Sequence, residues 1–127
     1  MAFVVDARGI EDEAARSSIQ VVVATLRSAL GQRPVAYLAG ISDAKLVGQW
    51  ALGRVTPRGE AQMRLREAFK VLLLIRSSYG DDTAQAWLFG CNSRLDDHAP
   101  ASVLRHGRRP EDLELVAATA RAFATGG

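Results

Sequence analysis

Apolar residues recur at three- and four-residue intervals along most of this chain, and glycines and prolines cut the pattern into segments. Ile19, Val22, Val23, Leu26 and Leu30 predict a first helix from Glu11 to Leu30, stopped by Gly31. The run "SIQVVVATL" is rich enough in β-branched residues to suggest a strand, but its length and flanks favour helix. A short helix follows, with Pro34 at its first position and Ala39 its last residue before Gly40. Ser42 or Asp43 is expected to cap another, reaching Leu52 and ended by Gly53. The longest helix spans about Arg58 to Tyr79. Its buried stripe is Leu65, Ala68, Phe69, Leu72, Ile75 and Tyr79, with Arg64, Glu67, Lys70 and Arg76 lying mostly off it. After Gly80, Asp81 or Asp82 caps a fifth helix through Leu88. Pro100 and Pro110 read as openings of two last helices, Ala101 to His106 and Glu111 to about Ala124, with Glu111 and Asp112 in a favourable first turn. No stretch alternates as a strand between hairpin turns, so the fold class is all-α.

Composition narrows the function classes. A chain of 127 residues, nearly half hydrophobic, is the size of one domain with a real core. Sixteen basic against fourteen acidic residues leave a formal charge of +2, so nucleic-acid binding needs a local patch. One cysteine cannot form an internal disulfide. "VLLLI" at Val71–Ile75 is the longest apolar run, far short of the roughly 20 residues of a membrane span. Met1 leads into "AFVVDARGIEDE", which lacks the basic start and apolar run of a signal peptide. The expectation is a soluble, cytoplasmic protein without membrane contact.

Two stretches invite a functional reading. "RPVAYLAGISDAKLVGQWALGRVTP", Arg33 to Pro57, holds two short helices around a turn at Gly40. Ile41 plugs the core and Leu46, Val47 and Trp50 pack the second helix down. Asp43, Ala44, Lys45, Gln49 and Arg54 then face outward, as on a helix that enters a DNA major groove. Glutamine can pair with adenine and lysine can reach guanine or phosphate. The candidate DNA-binding residues are Ser42, Lys45, Gln49 and Arg54, with Arg33, Arg54, Arg58, Arg64 and Arg66 for flanking phosphates. Asp43 would repel phosphate, and a plain pair of bundle helices has the same outline. "GIS…W…G…P" resembles the phage-repressor-like (Xre) helix-turn-helix.

The second stretch, "AWLFGCNSRLDDHAPASVLRHG" from Ala86 to Gly107, gathers Trp87, the only cysteine, both histidines and two adjacent aspartates. Asp96, Asp97 and His98 could ligate a metal, or Cys91 and a histidine could form a nucleophile pair. Their spacing matches no metal or catalytic pattern. Turn and cap chemistry suits Asp96–Asp97, and a small buried or half-buried side chain suits Cys91. No enzyme, cofactor or metal follows.

The order of Trp87, a loop with Asn92 and Leu95, then Pro100, Leu104, Gly107 and a terminal helix resembles the toxin-binding domain of Xre/MbcA/ParS-like antitoxins. The resemblance runs from about Arg33 to Phe123 and includes the helix-turn-helix in the family's order. It implies a non-catalytic antitoxin that occludes the active site of a RES-domain, NAD-destroying toxin with its C-terminal domain. It also implies repression of its own operon by the helix-turn-helix, as a dimer or a larger assembly with toxin. The implied organisation is residues 1–31 as an N-terminal helix or extension, 32–79 as the helix-turn-helix region with the long helix, and 80–127 as the toxin-binding domain. Trp87, Asn92, Leu95, Pro100 and Gly107 match the motif. Toxin contacts are expected at Trp87, Asn92, Arg94, Leu95, Arg105, Arg108 and Arg109, and in the terminal segment Arg121 to Gly127 with Arg121 and Phe123. Two departures stand out: one extra residue between Ser42 and Trp50, which turns the recognition helix, and an end in "RAFATGG" where family members often carry an apolar or aromatic tail. The alternative is a free-standing helix-turn-helix regulator whose C-terminal helices only dimerise.

Overall fold

The computed structural model describes residues 6–126, and every described element is helical. In chain order these are α1 (Ala7–Arg16), α2 (Ile19–Leu30), α3 (Gln32–Ala39), α4 (Lys45–Ala51), α5 (Gly59–Tyr79), α6 (Asp81–Phe89), α7 (Pro100–His106) and α8 (Pro110–Ala124). A single 3-10 turn, Ser93–Leu95, separates α6 from α7. The all-α expectation holds. No described helix is long and apolar enough to cross a membrane.

The organising element is α5, which touches α1, α2, α3, α6, α7 and α8, whereas α4 packs chiefly on α2 and α3. A helix surrounded on all sides buries more than one stripe. Val71 and Leu74 are therefore buried together with Leu65, Ala68, Phe69, Leu72 and Ile75. Lys70 and Glu67 survive on this crowded helix by pairing with each other at 3.2 Å. Tyr79, assigned to the stripe by periodicity, is 49% exposed, its ring lying against Phe123 of α8 at the edge of the bundle. One apolar core runs from Ala14 and Val22 through Leu38, Trp50 and Leu72 to Leu104, Leu113 and Ala124. It continues across both proposed domain boundaries. Each fully buried leucine contributes roughly 1.5–3 kcal/mol.

Local chemistry moves several predicted ends. The single helix expected over Glu11–Leu30 is two helices broken at Ser17–Ser18. Ser18 is extended and its side chain caps α2 by accepting from the Val21 amide at 3.2 Å. The Ser17 carbonyl accepts from Arg66 at 2.9 Å, which ties the break to α5. Two residues of α3 precede Pro34, so the proline stands in the first turn rather than at its first position. Its missing N–H lies among those with no intrahelical partner there. Ser42 does not cap α4. Asp43 instead accepts from the Lys45 amide at 3.0 Å, and the helix begins two residues later than expected. Likewise Asp81 and Asp82 lie inside the first turn of α6, where a negative charge favours the helix N-terminus, and Gly80 holds the capping position. Pro100 and Pro110 do open α7 and α8.

Candidate functional site

Two surfaces carry the predicted residues, and a pair of arginines joins them. On α4, Val47 and Trp50 are buried, so the opposite face turns outward. Ser42, Lys45 and Arg54 are exposed and Gln49 is half-buried. Ala44, expected outward, packs against the core edge instead. Among the flanking arginines, Arg33, Arg54 and Arg58 are exposed. Arg64 and Arg66 are spent inside the fold. Arg66 donates to the Ser17 carbonyl. Arg64 donates to the Ala39 carbonyl at 3.4 Å and the Gly107 carbonyl at 3.4 Å, and pairs with Glu60 at 3.1 Å.

The turn between α3 and α4 is thus held from the C-terminal half of the chain. Gly40 closes α3 with φ +83°, a conformation that other residues rarely adopt. A Cβ there would sit 2.7 Å from Arg64 Nη1. Arg105, on α7, donates Nη1 to the Tyr37 carbonyl at 2.8 Å and to the Ile41 carbonyl at 3.5 Å. Its guanidinium also lies 4.7 Å from the centre of the Tyr37 ring. The Tyr37 carbonyl lies in the last turn of α3, where the helix dipole is negative and a fixed cation is favourable, and the Ile41 carbonyl belongs to the turn that follows. Arg105 therefore belongs to the scaffold as well as to any surface.

In the loop after α6, the reactive-looking side chains are distributed by backbone geometry. Asn92 is the knot. Its side chain accepts from the Arg94 amide at 2.9 Å, its amide donates to the His98 carbonyl at 3.2 Å, and its carbonyl accepts from the amides of Leu95 and Asp97 at 3.0 and 2.9 Å. Leu95 is buried beneath the loop. Asp96 and Asp97 both have positive φ, +55° and +63°, which aspartate tolerates better than most residues. His98 Nδ1 lies 3.2 Å from the Leu95 carbonyl, and His106 Nδ1 lies 2.9 Å from the Ser102 carbonyl. Cys91 is exposed rather than buried, because its side chain points off the loop that Leu95 anchors. Among the described residues no group of three or more His, Cys, Asp or Glu is arranged to hold a metal. Gly107 is small for a packing reason: a Cβ there would meet the Val103 carbonyl at 2.8 Å and a Leu113 methyl at 2.9 Å.

The residues expected at a toxin interface do not share one face. Trp87 and Phe123 come together with ring centres 6.1 Å apart, and Tyr79 joins Phe123 at 5.1 Å. Phe123 is 37% exposed, so three aromatic rings form a half-open patch where α5, α6 and α8 meet. The sequence pattern put Tyr79 in the core; its place as the last residue before the helix-ending glycine was the available sign of exposure. Arg121 is two residues before Phe123, about 200° around the helix, and so turns away from the patch. There it pairs with Glu11 of α1 and, at 3.5 Å, with Glu114. The hydrogen bond with Glu11 holds the Arg121 pKa above the ordinary arginine value; partial burial opposes this and Glu114 adds to it. Arg109 pairs with Asp112 at 3.6 Å at the start of α8, roughly 20 Å along the helix axis from Phe123. Arg94 and Arg108 are exposed. Gly127 lies outside the described residues.

The chain is similar to the mycobacterial cidal antitoxin MbcA of Mycobacterium bovis and Mycobacterium tuberculosis. It is 28% identical over 106 residues, which cover 80% of this chain and 94% of the relative. No family model matches the chain, and no solved structure matches it. The similarity spans nearly all of the relative and supports kinship with an antitoxin family.

Proposed function

We propose that this protein is the antitoxin of a toxin–antitoxin pair: it binds a toxin protein and silences that protein's chemistry without performing any itself. The observation that carries the proposal is the similarity to MbcA over 94% of the relative's length. The target is proposed to be a RES-domain toxin that consumes NAD, and the contact is assigned to the 80–127 region. The aromatic patch of Tyr79, Trp87 and Phe123 supplies its apolar centre. Large, half-buried aromatic rings are the side chains that anchor protein interfaces, because burying them completely needs little further ordering. Arg108 and Arg109, at the far end of α8, and Arg94 would add basic contacts only to a toxin that reaches well beyond the patch, and Arg121 joins only if Glu11 and Glu114 release it. Asn92, Leu95, Pro100 and Gly107 serve by shaping the unit.

The test is co-expression with a RES-domain toxin from the same genome, reading growth, cellular NAD and co-elution on size exclusion. Rescue with a stable complex supports the assignment. Growth arrest with depleted NAD, and no complex, overturns it.

Operon repression through α3 and α4, by a dimer or a toxin-bound assembly, is the second part of the proposal. A free-standing regulator is its competitor. The feature favouring DNA contact is an outward row of Ser42, Lys45, Gln49 and Arg54 that the fold does not otherwise consume. A mobility-shift assay on the protein's own promoter, with Lys45→Ala and Gln49→Ala, tests this. Shifts unchanged by both substitutions would remove these residues from the reading face.

A further inference from the structure

Beside the α3–α4 turn lies a notch of roughly 470 Å³, lined by Arg33, Ala36, Tyr37, Ile41, Ser42, Ala44 and Arg105. We propose that this notch is a phosphate-binding site and that it takes a backbone phosphodiester of duplex DNA. Two arginines and a serine are among its lining residues, contributed by α3, the turn and α7. Arg105 is already immobilised by the Tyr37 carbonyl at 2.8 Å and the Tyr37 ring at 4.7 Å, so little freedom is left for a ligand to freeze. Those contacts use Nη1 alone; Nε and Nη2 have no partner among the described residues. Arg33 is exposed, and neither its guanidinium nor the Ser42 hydroxyl has a partner among the described residues.

A phosphodiester presents two equivalent non-bridging oxygens carrying one negative charge, which a planar guanidinium fork meets with paired N–H bonds. Ser42 adds a neutral donor of the kind that commonly contacts phosphates. Of the carboxylates around the turn, Asp43 accepts from the Lys45 amide and Glu60 is paired with Arg64, while Lys45 is an exposed cation next in the chain. Positive charge remains in excess. Position selects DNA over a small phosphorylated molecule. The notch opens beside the outward row of α4, so a strand held there runs along Lys45 and Gln49. This choice of source rests on the DNA reading above; the phosphate chemistry does not.

The experiment has two arms. In the first, anisotropy of a labelled random-sequence duplex is measured between about 50 and 200 mM salt for the parent, Arg33→Gln and Ser42→Ala, with Arg16→Gln on α1 as the control. Arg33→Gln should weaken binding about three- to tenfold at low salt and lower the magnitude of the salt slope by about one, with Arg16→Gln unchanged. In the second, inorganic phosphate and poly-glutamate are titrated separately into isotope-labelled protein. Phosphate should shift the amides of Arg33, Ser42 and Lys45 and the Nε–H signal of Arg105. Duplex binding indifferent to Arg33→Gln and Ser42→Ala overturns the site while leaving the DNA reading intact. Phosphate shifts at these residues without duplex binding retain the site and overturn its assignment to DNA. A response to poly-glutamate but not phosphate assigns the notch to an acidic protein and overturns the proposal, as does silence in both arms.

Discussion

Arg105→Ala isolates the contact that ties the C-terminal helices to the α3–α4 turn. The substitution removes the 2.8 Å bond to the Tyr37 carbonyl and the guanidinium over the Tyr37 ring. A hydrogen bond from a charged donor contributes about 1.5–3 kcal/mol, and partial exposure places this one at the low end. The contact to the Ile41 carbonyl, at 3.5 Å, is long enough to add little. The cation–π contact adds about 0.5–1 kcal/mol. Together these give a loss of about 2 kcal/mol. Unfolding entropy scales with length, and for a domain of this size one kcal/mol corresponds to about 4 °C in Tm. Arg105→Ala should therefore melt about 8 °C below the parent by circular dichroism or calorimetry. Arg105→Lys keeps the charge and the stacking but not the geometry of the planar fork, and should lose about half as much. Hydrogen exchange should quicken at the Gly40 and Ile41 amides, which bond the carbonyls of Tyr37 and Ala36. An alanine variant melting within about 1 °C of the parent would refute the clamp, since that is the response of an uninvolved surface residue.

Three further outcomes follow from the packing. Gly107→Ala forces a methyl to 2.8 Å from the Val103 carbonyl, and should lower stability by about 1–3 kcal/mol in a urea titration. An unchanged midpoint would show that α7 and α8 separate easily. Ser18→Ala removes the α2 cap and should lose about 1 kcal/mol with nearly unchanged helix content; a large drop in helicity would show that α2 depends on this cap to form. Phe123→Ser should weaken toxin binding at least about tenfold, and should also lower stability by about 1–2 kcal/mol through the lost contacts with Tyr79 and Trp87, so binding is compared at a temperature where both proteins are folded. Full affinity in that variant would remove the aromatic patch from the interface.

Periodicity and punctuation located every described helix except α1. Gly40, Gly53, Pro100 and Pro110 act locally, through allowed dihedrals and missing donors, so their positions could be read without knowing the partners. Errors arose where a competing local bond lay outside the pattern. Ser18 broke a run that looked continuous, and of the two capping candidates Asp43 rather than Ser42 makes the bond, with α4 starting only at Lys45. Spacing assigned Cys91, Asp96, Asp97 and His98 to no catalytic or metal pattern, and it gave no sign that Cys91 is exposed.

The candidate site was legible as a set of residues and not as a surface. The resemblance to a toxin-binding domain put Trp87, Phe123 and five arginines in one group. Only the packing of α1 and α8 on α5 directs Arg121 to Glu11 and Glu114, and leaves Phe123 with Trp87 and Tyr79. Arg64 and Arg105 show the same division. Their charge and length are written in the sequence, but the carbonyls they satisfy lie 25 and 68 residues away. Helix content, breaks and the apolar inventory follow from interactions within a few residues, so the sequence by itself determined them. Which arginine is spent inside the fold, and which remains for a partner, depends on long-range geometry that only the closed core decides.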